Sequence, residues 1–132
     1  GEINDSASVA LFSFEDQGDG IEGVVYREIN DFNSFLGETK LPILVVFYSS
    51  SSSTNKLVIP RLEQMADDYR DQLKIVWIDA ETETKMAESF SVETMPQFTI
   101  VVEAEAKRSL IGYDDAGAAN LDELINAYVV PQ

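Results

Sequence analysis

The sequence contains neither cysteine nor histidine. Without cysteine the chain has no thiolate nucleophile, no disulfide and no zinc–thiolate site, and without histidine it has no imidazole base and no imidazole metal ligand. These absences remove the side chains on which most common catalytic sites depend. On this ground we predict that the chain is not an enzyme, that it holds no metal centre and that it needs no cofactor.

Basic residues are also scarce. Nine lysines and arginines stand against 24 aspartates and glutamates, which gives a formal net charge of −15 at pH 7. This charge repels the phosphates of nucleic acids and anionic lipids, so neither is an expected partner. No apolar run approaches the ~20 residues that a membrane-spanning helix needs, and membrane insertion is not expected. The acidity is more typical of a solubility feature than of a cation-binding device.

The rest of the composition is that of one folded domain. The 132 residues are 45% hydrophobic, enough for a single core. Residues 1–22 are polar and Gly/Asp-rich apart from one short apolar patch, which predicts a flexible or loosely docked N-terminal arm before a domain over residues 23–132. The N-terminus lacks the basic and apolar regions of a signal peptide, so the sequence assigns no compartment. Gly1 in place of methionine leaves processing or excision from a longer protein open.

Strand and helix patterns alternate from residue 23 onward. Apolar runs predict strands at 23–29, 43–48 and 74–79, followed by an antiparallel pair at 97–106 and 107–114. Helical spacing predicts a short helix after Asp31, a long helix that contains Pro60, a third around residues 85–90 and a last one capped by Asn120. The order β-α-β-α-β-α-β-β-α predicts an α/β domain with a mixed sheet of four to five strands flanked by helices.

Two segments carry a resemblance to a known family. Residues 44–60, LVVFYSSSSSTNKLVIP, are similar to the strand, active-site turn and kinked helix of the thioredoxin family, in which an aromatic pair precedes a Cys-x-x-Cys turn, a lysine and a proline. The residues in register are Phe47, Tyr48, Lys56 and Pro60. Residues 92–102, VETMPQFTIVV, resemble the family's cis-proline segment, with Pro96 as that proline. The resemblance covers about residues 23–130 and implies a thioredoxin fold.

The departures from the family pattern concern its chemistry. Ser52 and Asn55 stand at the positions that match the two redox cysteines. Val46 stands where the family has a buried acid, and Ile75 where it often has a facing lysine. Neither a serine without a base nor an amide can replace a redox thiol. The sequence therefore resembles a redox-inactive member of the family.

The leading hypothesis for function is a non-catalytic domain that binds a protein or peptide segment. In thioredoxin-like domains the residue before the cis-proline offers its backbone to an extended peptide, and this needs no cysteine. The predicted partner-binding residues are Tyr48, Ser51, Ser52, Ser53, Thr54, Asn55, Thr94, Met95 and Pro96. Two other interpretations of the serine-rich segment stay open: a turn with a helix N-cap, or a site for a small anion at the helix N-terminus.

A second hypothesis follows from the acidity. Calsequestrin is built from acidic thioredoxin-like units without redox cysteines, and the chain resembles it in that respect, which makes a calcium-buffering domain the alternative. Glu103 and Glu105, expected on one face of a strand, are the weak candidates for calcium binding. The other acidic groups, among them Glu81 and Glu83, are interpreted as solvated surface.

Overall fold

The computed structural model describes residues 7–16, 18 and 20–129. Over these ranges the chain forms six strands and four helices. In chain order the elements are β1 (Val9–Asp16), β2 (Glu22–Glu28), α1 (Phe32–Glu38), β3 (Ile43–Tyr48), α2 (Asn55–Asp68), β4 (Lys74–Asp79), α3 (Thr84–Ser89), β5 (Gln97–Val102), β6 (Glu105–Ile111) and α4 (Gly117–Asn126).

All six strands belong to one mixed sheet with the order β2-β1-β4-β3-β5-β6. Strands β3 and β4 are parallel, and the other neighbours are antiparallel. Strand β3 is apolar along its whole length, and residues 43–47 are buried because helices cover both faces of the sheet. The predicted α/β architecture with a mixed, helix-flanked sheet is confirmed.

The helices build one hydrophobic core on each face of the sheet. On the first face, α2 and α4 bury stripes at helical spacing, including Leu62, Met65 and Leu121, against alternate residues of the central strands. On the second face, the shorter helices α1 and α3 bury Phe32 and Ala87. The C-terminal ends of the parallel strands β3 and β4 lie at the same edge of this sandwich, where the candidate site is found.

Strand β1 corrects the prediction of a loosely docked arm. Val9–Asp16 lies inside the sheet, where it pairs with β2 on one side and β4 on the other. Phe12 is only 3% exposed and stacks on Tyr26 with ring centroids 4.2 Å apart. The sheet therefore has six strands instead of four to five, because the short apolar patch docks against residues far away in sequence. Residues 1–6, 17 and 19 of the predicted arm lie outside the described residues.

Two predicted boundaries near the C-terminus are also wrong. Glu103 and Ala104, with φ of 53° and 64°, form a tight turn between β5 and β6, so β5 ends four residues earlier than expected. Glu103 and Glu105 thus do not share one strand. Helix α4 begins at Gly117, which puts Asn120 inside the helix instead of at its cap. At α1 the predicted cap is correct, since Asp31 accepts a hydrogen bond from the Ser34 N–H.

An ion pair on the β1–β2 hairpin predicts a measurable titration. Arg27 Nε donates to Glu15 Oε2 at 2.7 Å, and this contact, with a further one from Ser13, lowers the pKa of Glu15 to about 2. In Arg27→Gln we expect the pKa of Glu15 to rise towards its ordinary value of 4.5, as measured by NMR titration of the side-chain carboxyl. Arg108→Gln, on the opposite edge strand, is the control that leaves Glu15 unchanged.

The same pair makes a pH-dependent contribution to stability. Because the pKa of Glu15 is lower in the folded than in the unfolded chain, the contribution is present above pH ~4.5 and is lost as the pH falls towards ~2. Arg27 is 62% exposed, so solvent screening limits the contribution to about 1 kcal/mol or less. A Glu15 titration that is identical in the wild type and in Arg27→Gln would contradict this assignment.

Candidate functional site

Two segments meet at the C-terminal end of β3. Tyr48 leads into residues 49–55, here called the serine turn, which connects β3 to α2. Antiparallel pairing aligns Phe47 with Gln97, and continuing this register brings residues 94–96, here called the proline loop, beside the start of the serine turn. The Met95–Pro96 peptide bond is cis. The structure thus brings together the two segments that the sequence singled out.

The serine turn is held by its own hydrogen bonds. The Ser52 N–H donates to the Ser49 carbonyl at 3.0 Å, and the Asn55 side-chain amide donates to the same carbonyl at 2.9 Å. The Ser52 hydroxyl accepts a hydrogen bond from the Thr54 N–H at 3.3 Å. The polar atoms at the two positions that match the family's cysteines therefore stabilise the turn itself. Ser51 and Ser53 are exposed, and the Ser51 hydroxyl lies 3.0 Å from the Ser49 hydroxyl.

Glu81 belongs to this site, although the sequence interpretation treated it as solvated surface. One of its carboxylate oxygens accepts hydrogen bonds from the Ser49 hydroxyl at 3.0 Å, the Ser50 N–H at 3.2 Å and the Ser50 hydroxyl at 3.2 Å. The Glu81 N–H in turn donates to Asp79 Oδ1 at 2.9 Å. The only sequence signal was an acidic residue just after the strand that runs parallel to β3.

The first turn of α2 already uses its backbone donors. The N–H groups of Asn55, Lys56 and Leu57 donate to the carbonyls of residues 52, 53 and 54. Thr54 occupies the N-cap position without a side-chain capping bond. An anion at this helix N-terminus would have to compete with these internal bonds for donors.

Beneath the serine turn the structure is apolar and aromatic. Val46 is 0% and Ile75 1% exposed, so no charge lies in the position of the family's acid or its lysine. Tyr48 stacks on Trp77 with ring centroids 4.0 Å apart and an interplanar angle of 13°. Burial raises the pKa of the Tyr48 phenol, and the negative charge of Asp79 adds to the effect. Tyr48 is thus an uncharged side chain that lies between the hydrophobic core and the serine turn.

Part of the backbone of the proline loop makes no hydrogen bond within the described part of the chain. The Pro96 carbonyl accepts a hydrogen bond from the Gly112 N–H at 2.8 Å, whereas in the described part of the chain neither backbone group of Met95 has a hydrogen-bond partner. Thr94 is exposed and Met95 half-buried. Ile111, which pairs with Gln97 beside the loop, is 58% exposed. The sequence interpretation missed Ile111 because two consecutive apolar residues, Leu110 and Ile111, do not show which of them faces solvent in an edge strand.

In this site a cis-proline loop lies beside the turn between a buried strand and a proline-containing helix. A comparison of the sequence with models of protein families identifies a family that fits this arrangement. The thioredoxin family model matches residues 23–127. The chain belongs to the thioredoxin family. Both the serine turn and the proline loop lie inside the matched region, whereas β1 lies outside it. The lack of cysteine is consistent with a redox-inactive thioredoxin-like protein.

Curated relatives support the family assignment. The thioredoxin of Listeria monocytogenes is 31% identical over 103 residues, which is 78% of this chain and 98% of that protein. Chloroplastic thioredoxin Y of Oryza sativa is 28% identical over 74 residues, and chloroplastic thioredoxin X of Arabidopsis thaliana is 32% identical over 71 residues. These two matches span 44% and 39% of the respective plant proteins.

Solved structures support the thioredoxin fold. Mitochondrial thioredoxin 3 of Saccharomyces cerevisiae, in its oxidized form, superimposes with a TM-score of 0.65 at 21% identity, over 73% of this chain and 86% of that one. The thioredoxin of Fasciola hepatica gives a TM-score of 0.65 at 19% identity, over 74% and 90% of the two chains.

The comparisons correct two expectations. The prediction that the chain is not an enzyme is wrong as drawn, because its homologues are thioredoxins, which are redox enzymes, and a missing side chain does not establish a missing activity. The calsequestrin-like alternative is not supported, since the relatives are thioredoxins. In addition, the described residues contain no group of three or more acidic side chains close enough to hold a metal ion. No helix in the described ranges is long and apolar enough to span a membrane.

Proposed function

We propose that this thioredoxin-family domain binds extended segments of partner proteins across the serine turn and the proline loop. One observation carries the proposal: the backbone N–H and C=O of Met95 are unpaired beside the cis peptide bond. An extended peptide satisfies such groups by adding main-chain hydrogen bonds, as a further strand would.

The surroundings of Met95 suit a peptide better than an anion. The exposed Ile111 side chain lies next to the proline loop and provides an apolar contact for a side chain of the bound segment. On the other side, the serine turn presents hydroxyl groups without a net charge of its own. The amides at the start of α2 are already engaged, which disfavours an anion there. The proposed role requires no thiol.

Binding is tested with the full chain and dodecapeptides selected on it by phage display. In ¹⁵N-labelled protein, the peptide-induced NMR shifts are expected to centre on Tyr48, Ser52 and Met95. N-methylation of the peptide amide that pairs with Met95 removes one main-chain hydrogen bond and is expected to weaken binding about 5–10-fold. Replacing Met95 by Asp places a charge in the same contact and is expected to weaken binding by at least as much.

The matched control is Ala119→Asp, which adds the same charge at an exposed position on α4 and is expected to leave binding unchanged. Since Met95 is half-buried, circular dichroism first establishes that Met95→Asp is folded, and the N-methylated peptide supplies a test that leaves the protein intact. Selection of no peptide, or shifts confined to the α1 and α3 face, would refute the proposed function.

A further inference from the structure

A second concave surface lies on the sheet face covered by α1 and α3. These helices are short, and beyond α3 the face over β5 and β6 stays open as a cleft of about 360 Å³. The cleft is lined by Leu36, Ser89, Phe90, Ser91, Thr99, Val101, Ala104, Ala106 and Ser109. None of these residues belongs to the serine turn or the proline loop, so the cleft is a separate site.

The cleft is neutral in a highly charged chain. A quarter of all residues are charged, yet none of the nine lining residues is. Leu36 and Phe90 are partly exposed apolar side chains, and the polar side chains of the lining all carry hydroxyl groups. A volume of about 360 Å³ falls at the lower end of the range of small-molecule sites, roughly 300–1,000 Å³. These properties suit a small ligand without a charge.

Four residues beneath the cleft form a chain of hydrogen bonds that does not use all of its hydroxyl protons. Gln97 and Thr99, only 3% and 2% exposed, are the buried polar residues of the described core. The Gln97 amide donates to the Phe90 carbonyl at 3.1 Å and to the Thr99 hydroxyl at 3.2 Å, and the Thr99 and Ser109 hydroxyls lie 2.8 Å apart. Thr99 and Ser109 bring two hydroxyl protons but share one hydrogen bond, and Ser109 is exposed, so one hydroxyl proton is free to donate to an acceptor in the cleft.

We infer that the cleft binds a neutral, largely apolar small molecule through a carbonyl or hydroxyl oxygen. That oxygen accepts the spare proton of the Thr99–Ser109 pair, which an acceptor-free hydrocarbon leaves unsatisfied. The apolar body of the ligand packs on Leu36, Phe90 and Ala106. This site is independent of the proposed peptide-binding surface, and either can be present without the other.

The test compares two probes of nearly the same shape, 1-tetralone, which has a carbonyl, and tetralin, which lacks it. In NMR titrations of the labelled full chain, both are expected to shift Phe90, Ser91 and Ser109 in a saturable way. We expect 1-tetralone to bind about 2–10-fold more tightly, as one additional hydrogen bond allows. In the double variant Thr99→Val/Ser109→Ala this preference is expected to disappear while tetralin binding persists.

A steric variant provides a test at an exposed position. Ala106→Phe fills the cleft and is expected to abolish binding of both probes, whereas Ala118→Phe, exposed on α4, leaves it unchanged. Equal affinities of the two probes for the wild-type protein would overturn the inferred hydrogen bond. Shifts that do not saturate, or binding that survives in Ala106→Phe, would overturn the site itself.

Discussion

Replacing Phe12 by alanine is expected to lower the free energy of unfolding by about 3–5 kcal/mol. Phe12 lies on β1, between the rings of Tyr26 on β2 and Trp77 on β4, with centroid distances of 4.2 and 6.0 Å. Trp77 in turn stacks on Tyr48 at the rim of the candidate site. Truncation at Phe12 interrupts this row of aromatic rings across four strands and leaves a cavity in the core.

Urea denaturation measures this loss of stability. Unfolding is followed by the fluorescence of Trp77, which is the one tryptophan in the sequence. Phe14→Ala is the matched control: it is the same change on the same strand, at a half-buried ring that the Arg70 guanidinium covers at 4.2 Å. We expect Phe14→Ala to lower the free energy of unfolding by about 1 kcal/mol, since folding buries less of the Phe14 ring than of the Phe12 ring. Equally small losses of stability in Phe12→Ala and Phe14→Ala would show that β1 does not pack in the core.

Replacing Val46 by aspartate is expected to destabilise the domain by about 3–5 kcal/mol at pH 7, because it leaves a buried charge without a partner. Val46 is wholly buried in the middle of β3, and Ile75, at the position of the family's lysine, is aliphatic. Desolvation raises the pKa of the new carboxyl above its unfolded value. The loss of folding stability is therefore expected to be smallest below pH ~4 and to grow as the pH rises through the raised pKa of the new carboxyl.

Two further variants separate charge from shape. Val46→Asn introduces a neutral polar group of similar size, and its destabilisation is expected not to change over the pH range in which that of Val46→Asp grows. Adding Ile75→Lys to Val46→Asp restores the residue types of the family's pair, and the double variant is expected to lose less stability than the sum of the single variants. A pH-independent loss in Val46→Asp would contradict this account of the core.

The central strands and the long helix could be predicted because their signals are local. Strands β3 and β4 are continuous apolar runs, and α2 and α4 repeat apolar residues at helical spacing. Strand β1 was missed because its apolar patch sits in a polar, Gly/Asp-rich segment. What makes it a strand is the edge of β4 and the rings of Tyr26 and Trp77, which are far away along the chain.

In the candidate site, too, some residues could be predicted from the sequence and others could not. Ser52, Asn55 and Pro96 could be placed from sequence because they occupy fixed positions in motifs of the family. Glu81 could not, since its partners Ser49 and Ser50 are about 30 residues away and meet it only because β3 and β4 run parallel. The unpaired backbone of Met95 is likewise a property of the neighbouring strands and not of the residue.

The sequence by itself determined that this chain has no thiol, that it is strongly acidic and that it has the alternation of an α/β domain, because composition and periodicity are properties of the chain read in order. Only the tertiary structure decided that the N-terminal segment is an inner strand, that Glu81 holds the serine turn and that the face beyond α3 is open. Each of these depends on which distant residues the sheet brings into contact, and packing alone settles that.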